Sequence, residues 1–193
     1  MVTDVEPRHK NLDPVMRQLK MQFSGMIRTN RMCVLVLSIL LLTLAAAAHA
    51  QKVGSATNLP LPRYVSLKAA EGNVRRGPSL THRIDWIYKR RHLPLRITAE
   101  LGHWLRVEDR DGMGGWVHYS LLSGNRTVIV EHDMLTLRVR PELQSPATAA
   151  LEAGVIARLG SCSAEWCRVS SGGYRGWVQK RRLWGVASDE IRQ

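Results

Sequence analysis

Short stretches of alternating apolar and polar residues dominate the chain from Arg63 onward. Turns that contain glycine, aspartate or proline separate them, and no stretch of this part has the periodicity of a helix. Strands of this length between such turns are typical of an all-β barrel or sandwich. The clearest predicted strands lie at 64–67, 84–88, 95–98 and 103–108.

The strand pattern occurs twice, which indicates an internal repeat. Gly115-Trp116-Val117 returns as Gly176-Trp177-Val178, and the earlier Trp104-Leu-Arg-Val returns as Trp166-Cys-Arg-Val. The offset between matched tryptophans is 62 residues for the earlier pair and 61 for the later pair. Such single-residue differences are typical of loops, where changes in length are tolerated.

The repeat predicts two consecutive domains, at 63–123 and 127–187. Residues 51–62 are small, polar and proline-containing, so they are predicted to form a linker. Residues 188–193 are left as a tail. A domain of this size is only marginally stable alone, and we therefore expect the two copies to dock through the short join at 123–126.

The N-terminal part has a different composition. Arg28 and Arg31 precede an apolar run at 32–44, which is followed by alanines and by Ala48-His49-Ala50. A basic region, a short apolar segment and a small-x-small end predict a secretory signal peptide at 1–50, cleaved after Ala50. The alternative is an uncleaved membrane anchor, for which the run is marginal in length.

The segment before the apolar run is long for a signal peptide. We therefore expect the true start at Met26, or else at Met21. With export, the chain would be periplasmic or secreted and would meet a membrane only transiently, through the signal peptide.

The chain is strongly basic, with 28 Lys and Arg against 16 Asp and Glu and a formal charge of +12. Six basic and three acidic residues lie within 1–50, so the remainder keeps 22 and 13, or +9. A basic protein favours acidic partners in general. Outside the cytoplasm these would be acidic envelope polymers or lipid head groups, and nucleic acid is not expected.

Two cysteines, Cys162 and Cys167, remain once Cys33 is removed with the predicted signal peptide. A cysteine pair in an exported protein is most often a disulfide. Aligning the two copies matches Leu101 to Cys162 and Leu105 to Cys167, so an apolar pair occupies the place of the thiols in the first copy. A zinc site is the alternative, but two cysteines without partner ligands are too few.

Several motifs together resemble the bacterial SH3-like (SH3b) domain family. They are Asn-Val-Arg-x-Gly-Pro from Asn73, Trp-x-x-Val from Trp104, Gly-Trp-Val and Leu-Leu. Residues 84–95 and 183–186 resemble, more narrowly, the exported SH3-like proteins of proteobacteria, formerly a domain of unknown function. The resemblance implies two small five-stranded barrels and a role in cell-wall or envelope interaction, often with peptidoglycan peptides.

The second copy departs from the family pattern. Arg140 replaces the glycine before the proline, and Thr136 stands at the position of Asn73. If the second barrel binds a ligand, that ligand need not be the same one.

A basic cluster beside two aromatic residues is the strongest candidate for ligand binding. Trp86, Tyr88 and Arg90 could hold an acidic ligand by stacking and ion pairing, and Trp116 is a further candidate. The alternative for the basic cluster is a solvated edge whose charges discourage strand pairing. The alternative for Trp116 and the other repeat tryptophans is a place in or near the core.

No catalytic or metal-ligating constellation is predicted. The five histidines after residue 50 have no ligand spacing. The acidic residues Glu108, Asp109 and Asp111 could be imagined as an acid–base or calcium cluster, but Asp-Arg-Asp-Gly is more typical of a β-turn. The sequence therefore predicts a protein without a cofactor and without enzymatic activity.

The favoured interpretation is an exported binding module of the bacterial cell envelope that recognises peptidoglycan or an envelope protein. The alternative is a structural or scaffolding protein of an envelope complex, with no wall ligand.

Overall fold

The computed structural model describes residues 52–193, which form two antiparallel sheets, one for each repeat. The predicted signal peptide and its cleavage point lie outside these residues. The strands of the first sheet are β1 (Arg63–Leu67), β2 (Gly72–Arg75), β3 (Ile84–Tyr88), β4 (Pro94–Leu101), β5 (Trp104–Glu108), β6 (Gly114–His118) and β7 (Leu122–Ser123). Those of the second are β8 (Thr127–Val130), β9 (Leu135–Arg138), β10 (Ala147–Leu151), β11 (Ile156–Cys162), β12 (Trp166–Ser171), β13 (Tyr174–Gln179) and β14 (Leu183–Trp184).

The two sheets have the same topology. The strand order is β3-β2-β6-β5-β4-β1-β7 in the first and β10-β9-β13-β12-β11-β8-β14 in the second, so each strand matches the one seven places later. A 3₁₀ turn precedes the last strand of each sheet, at Tyr119–Leu121 and Lys180–Arg182. The predicted all-β tandem fold is confirmed. Each sheet has seven strands, whereas the resemblance implies five. Strands of two residues, such as β7, are too short to show an alternating pattern in the sequence.

Each barrel has its own core, built from the inward positions of the alternating strands. Burial of these β-branched and leucine side chains supplies the main stabilisation, since apolar surface removed from water is favourable. The fully buried side chains include Leu67, Val74, Leu95, Ile97, Val107 and Val117 in the first barrel and Val128, Val130, Leu137, Val169 and Val178 in the second.

The barrels dock directly on one another, as their small size requires. The Thr127 hydroxyl donates a hydrogen bond of 2.7 Å to the carbonyl of His92. Tyr64 of the first barrel meets Trp184 of the second edge to face, with ring centroids 5.5 Å apart. Aromatic pairs in this arrangement contribute beyond their buried area.

The segment predicted as a linker lies against the first barrel. Val53 pairs with Pro60 in an antiparallel bridge, and Leu61 is buried in the barrel core. The segment is held by the carboxylate of Glu100, which accepts hydrogen bonds from the backbone amides of Ala56 (3.1 Å) and Thr57 (3.0 Å) and from the Thr57 hydroxyl (2.8 Å).

Glu100 also forms an ion pair with Arg63, and its side chain is fully buried. Burial by itself would raise the pKa of this carboxyl, but the hydrogen bonds from Thr57 and Ala56 and the Arg63 guanidinium outweigh it and lower the pKa. The carboxylate therefore stays charged where it is buried, because its partners satisfy it.

The C-terminal tail is held against the second barrel in a comparable way. Arg192 pairs with Cys162 through two backbone hydrogen bonds, of 2.7 and 3.0 Å. The carboxylate of Glu190 accepts two hydrogen bonds from Arg126, of 2.8 and 3.0 Å. The Lys180 ammonium donates to the carbonyls of Ser188 and Glu190.

The disulfide between Cys162 and Cys167 is confirmed. These residues face each other across β11 and β12, and in the first barrel the residue opposite Leu105 is Glu100. The predicted match of Leu101 to Cys162 is therefore wrong by one residue. A shift of one residue moves a strand side chain to the other face, and Leu101 is indeed 56% exposed.

Reduction of the disulfide is expected to lower the free energy of unfolding of the second barrel by about 2 kcal/mol, because it frees a short loop in the unfolded chain. Urea denaturation with and without dithiothreitol measures this. The Cys162→Ala/Cys167→Ala variant is the control, since the reductant should not change its stability. Equal stability of the wild-type protein in both conditions, with free thiols verified by mass spectrometry, would contradict the prediction.

Glu100→Gln is expected to lower the free energy of unfolding on the order of 3 kcal/mol near neutral pH, because it leaves Arg63 largely buried without a counter-charge. The folded-state pKa of Glu100 lies below its ordinary value of 4.5. The stabilisation that the ionised carboxylate of Glu100 contributes is therefore complete above pH 4.5 and is lost as the pH falls through its lowered pKa. The difference in stability between the wild-type chain and the variant should therefore become smaller in acid.

Glu108→Gln is the matched control for this change. Glu108 pairs with Arg96 at 2.8 Å on the surface, where an ion pair contributes less than about 1 kcal/mol. Denaturation curves from neutral to acidic pH measure the loss of stability in both variants. Equal losses in the two variants would show that the buried carboxylate has no special role.

Candidate functional site: an aromatic face on the first barrel

A tight turn fixes the register of strands β5 and β6. The Asp109 carboxylate accepts hydrogen bonds from the backbone amides of Asp111 (3.0 Å) and Met113 (2.9 Å). Gly112 has a φ of +80°, a conformation that residues other than glycine rarely adopt. The acidic residues of this segment thus form the β-turn that the sequence favoured over an acid–base or calcium cluster.

This register gives the hairpin one apolar face toward the core and one face toward solvent. Leu105, Val107 and Val117 are buried in the core. The residues between them point outward, and they pair as Trp104 with His118 and Arg106 with Trp116. Directly opposed residues on one face lie close enough for their side chains to interact.

The histidine at this surface is surrounded by aromatic rings. The ring centroid of His118 lies 5.4 Å from that of Trp104 and 4.9 Å from that of Tyr119. His118 Nδ1 is 2.7 Å from Ser120 Oγ, which restrains the imidazole. We call this surface the aromatic face; it consists of Trp104, Arg106, Trp116, His118 and Tyr119.

The aromatic face is partly open to solvent. Trp104, Trp116 and His118 are half-buried, whereas Arg106 and Tyr119 are exposed. Half-buried rings held by a sheet lose little freedom when a ligand stacks on them, and an exposed guanidinium can bind a carboxylate. The face is therefore suited to non-covalent recognition of a ligand with apolar or planar groups and an anionic group.

The strand next to this hairpin supports it. Arg75 lies opposite Trp116, and its guanidinium donates to the carbonyls of Leu80 (2.9 Å) and His82 (2.7 Å) in the loop that follows β2. This loop is thereby held next to the aromatic face. Ile84, also opposite Arg75, is 39% exposed and extends the apolar surface.

The second barrel repeats only part of this arrangement. Trp177 lies between Arg138 and Arg168 as Trp116 lies between Arg75 and Arg106. However, Trp166, the counterpart of Trp104, is buried.

Two further substitutions remove the rest of the face. Gln179 stands at the position of His118, and Lys180 stands at the position of Tyr119 and binds the tail. The second barrel therefore has no comparable aromatic surface.

The four residues predicted to bind ligand do not lie together. Only Trp116 belongs to the aromatic face. Trp86 packs against the core opposite Val74, and Arg90 lies at the junction of the barrels, where it donates a 3.0 Å hydrogen bond to the carbonyl of Gly154. The predicted grouping is corrected because Arg90 follows the end of β3 and turns toward the second barrel.

Tyr88 is a core residue in this structure. Its side chain is buried, and its hydroxyl donates a 3.0 Å hydrogen bond to the carbonyl of Met113. Burial is the main reason that its pKa is raised far above the usual value. Tyr88 thus holds the turn between β5 and β6 in place from inside the barrel and does not offer a surface for stacking.

Sequence reasoning missed Trp104, Arg106, His118 and Tyr119 as members of a site. A signal for two of them was present, because Trp104 and Arg106 alternate with apolar positions. The β-turn that the sequence predicts at 109–112 does not by itself fix the register of β5 and β6, and this register places Trp116 and His118 beside Arg106 and Trp104.

The part of the chain that the structure describes contains no cluster of three or more His, Cys, Asp or Glu that could hold a metal ion. Among residues 52–193 there is also no helix of the length and apolar character needed to cross a membrane.

Solved structures with similarity to this chain include two proteins from Trichomonas vaginalis, NlpC2 and NlpC1. They are 12% and 11% identical, each with a TM-score of 0.31, over 64% and 68% of this chain and 48% of each of theirs. An NlpC/P60 family protein from Bacillus cereus is 12% identical with a TM-score of 0.29, over 63% of this chain and 55% of its own. The chain thus spans about half the length of these structures, and likeness at this level supports no conclusion about activity.

No curated protein matches the sequence. The family model described as "Bacterial SH3 domain" matches twice, at residues 68–124 and 131–185, which together make up more than half of the chain. Each match covers all but the first strand of one barrel, and the resemblance noted in the sequence is confirmed. The chain belongs to the bacterial SH3 domain family and carries two consecutive copies of that domain.

Proposed function

We propose that the chain is an exported, non-catalytic binding module of the bacterial cell envelope that recognises a cell-wall peptide or an envelope protein. Membership of the bacterial SH3 domain family supports a role in binding. The disulfide between Cys162 and Cys167 supports a location outside the reducing cytoplasm, because such bonds persist in oxidising compartments.

The aromatic face of the first barrel is the observation on which this proposal rests. Its rings are held by β5 and β6, so a ligand would meet a preorganised surface. Trp116 and Trp104 would contact the ligand's apolar or peptide groups, and Arg106 would bind a carboxylate. Wall peptides and protein termini both carry such carboxylates.

The other predicted residues have supporting roles in this proposal. Trp86 and Tyr88 would set the shape of the barrel behind the face, since both pack inward. Arg90 would fix the second barrel relative to the first through Gly154. Trp116 is the one predicted residue that we place in contact with the ligand.

Retention on purified peptidoglycan tests the proposal. The wild-type chain is expected to sediment with the wall material, and Trp116→Ala is expected to lower its apparent affinity roughly tenfold or more, as loss of a central aromatic contact does. The amount of bound protein is measured by sedimentation across a range of wall concentrations.

Trp177→Ala is the matched control, because Trp177 occupies the same position in the second barrel. It should retain wild-type binding, with the thermal unfolding of both variants recorded to verify folding. If the folded wild-type chain is not retained, wall recognition is rejected, and recognition of an envelope protein or a scaffolding role in an envelope complex remains. Equal losses in the two variants would remove the aromatic face from the proposal.

A further inference from the structure

A basic cleft lies between the two barrels. It has a volume of about 600 Å³ and is lined by arginines from both barrels and from the join. No Asp or Glu side chain of residues 52–193 is among its lining residues. We call it the inter-barrel cleft; its cationic residues are Arg90, Arg91, Arg126 and Arg158.

Two of these arginines are already engaged by the protein. Arg126 is paired with Glu190, and it also donates a 2.8 Å hydrogen bond to the carbonyl of Gly185. Arg90 donates to the carbonyl of Gly154. Both guanidinium groups are therefore fixed in position.

The other two arginines have no side-chain partner among residues 52–193. Arg91 and Arg158 are exposed, and neither forms an ion pair or a side-chain hydrogen bond with any of residues 52–193. They come from opposite barrels, and both line the cleft. Two like charges facing one cleft repel each other unless a counter-charge lies between them.

The backbone around the cleft is held in a defined shape. His92 has a φ of +65°, which is uncommon for a residue other than glycine. Its amide donates to the carbonyl of Leu67 at 2.8 Å, and its carbonyl accepts from the Thr127 hydroxyl. The loop that carries Arg91 is thus tied to both barrels, and the cleft exists before any ligand binds.

We propose that the inter-barrel cleft binds a phosphate group, with Arg91 and Arg158 as its direct ligands. A guanidinium donates two parallel hydrogen bonds to one anionic group. A phosphate has three or four oxygens and can accept such paired hydrogen bonds from two guanidinium groups at once. A carboxylate has two oxygens and can accept them from one. Val155 and Ile156 supply an apolar wall against which the organic part of a phosphate ester would pack.

This site is distinct from the aromatic face and does not depend on the proposed function. Its arginines lie on the loop before β4, on the join and on β11, whereas the aromatic face lies on β5, on β6 and at the start of the 3₁₀ turn after β6. Binding at one site can therefore be lost while binding at the other is kept.

Calorimetric titration of the chain with inorganic pyrophosphate tests the proposal. Saturable binding of one pyrophosphate per chain is expected. Arg91→Gln and Arg158→Gln should each weaken it roughly tenfold, as loss of a charged hydrogen-bond donor does. Both side chains are exposed, so the variants should fold, and thermal unfolding verifies this.

Arg181→Gln is the control with the same change in charge. Arg181 is exposed and lies outside the cleft. The affinity of this variant for pyrophosphate should stay within about twofold of wild type, because Arg181 is not among the residues that line the cleft and salt screens an exposed charge. Equal weakening by Arg181→Gln, or no saturable binding by wild type, overturns the site, and so does malonate binding more tightly than pyrophosphate.

The source of the phosphate is found with vesicles of phosphatidylglycerol and of phosphatidylcholine. Binding to phosphatidylglycerol vesicles that pyrophosphate displaces, and that Arg158→Gln weakens, supports the site with a lipid head group as its ligand. Pyrophosphate binding without vesicle binding supports the site with a soluble phosphate ester. Vesicle binding that pyrophosphate does not displace and Arg158→Gln does not weaken excludes a lipid head group as the ligand of this cleft.

Discussion

The pairing of β5 with β6 is the constraint on which the aromatic face depends. The Asp109 turn holds this register from outside, and the Tyr88 hydroxyl holds it from inside through Met113. A slip of one residue would place Trp104 and Trp116 in the core and expose Leu105 and its apolar neighbours. Local turn chemistry thus decides which side of the sheet is available to a partner.

The small size of each barrel explains why the chain ends are tied down. A domain of about 60 residues buries too little surface to be robust alone. The N-terminal segment is held at Glu100, and the tail is held at Cys162, which is the equivalent position in the second barrel. Arg63 begins β1 and Arg126 directly precedes β8, and each is neutralised by a buried or half-buried carboxylate. The two copies therefore hold their chain ends by different contacts, a buried carboxylate in the first and backbone hydrogen bonds in the second.

Duplication also allowed the surfaces to diverge. Both barrels keep the tryptophan between two arginines, at Trp116 and Trp177, because the strand pairing is the same. In the second barrel Lys180 replaces the exposed tyrosine and secures the tail. One copy therefore presents an aromatic surface, while the other uses the equivalent surface to stabilise its own end.

The sequence by itself determined the fold class, the tandem repeat and the disulfide, because alternation, repeated motifs and a single pair of cysteines after residue 50 can be recognised without the tertiary structure. It also singled out Trp116 as a candidate for ligand binding, which stays a prediction. Only the tertiary structure decided that Tyr88 is a core residue and that Arg90 lies between the barrels, since these depend on how strand ends are directed. Two groupings, the aromatic face and the inter-barrel cleft, bring together residues far apart in the chain. No local pattern specifies which strands pair or which loops meet, and for that physical reason neither surface could be predicted from the sequence.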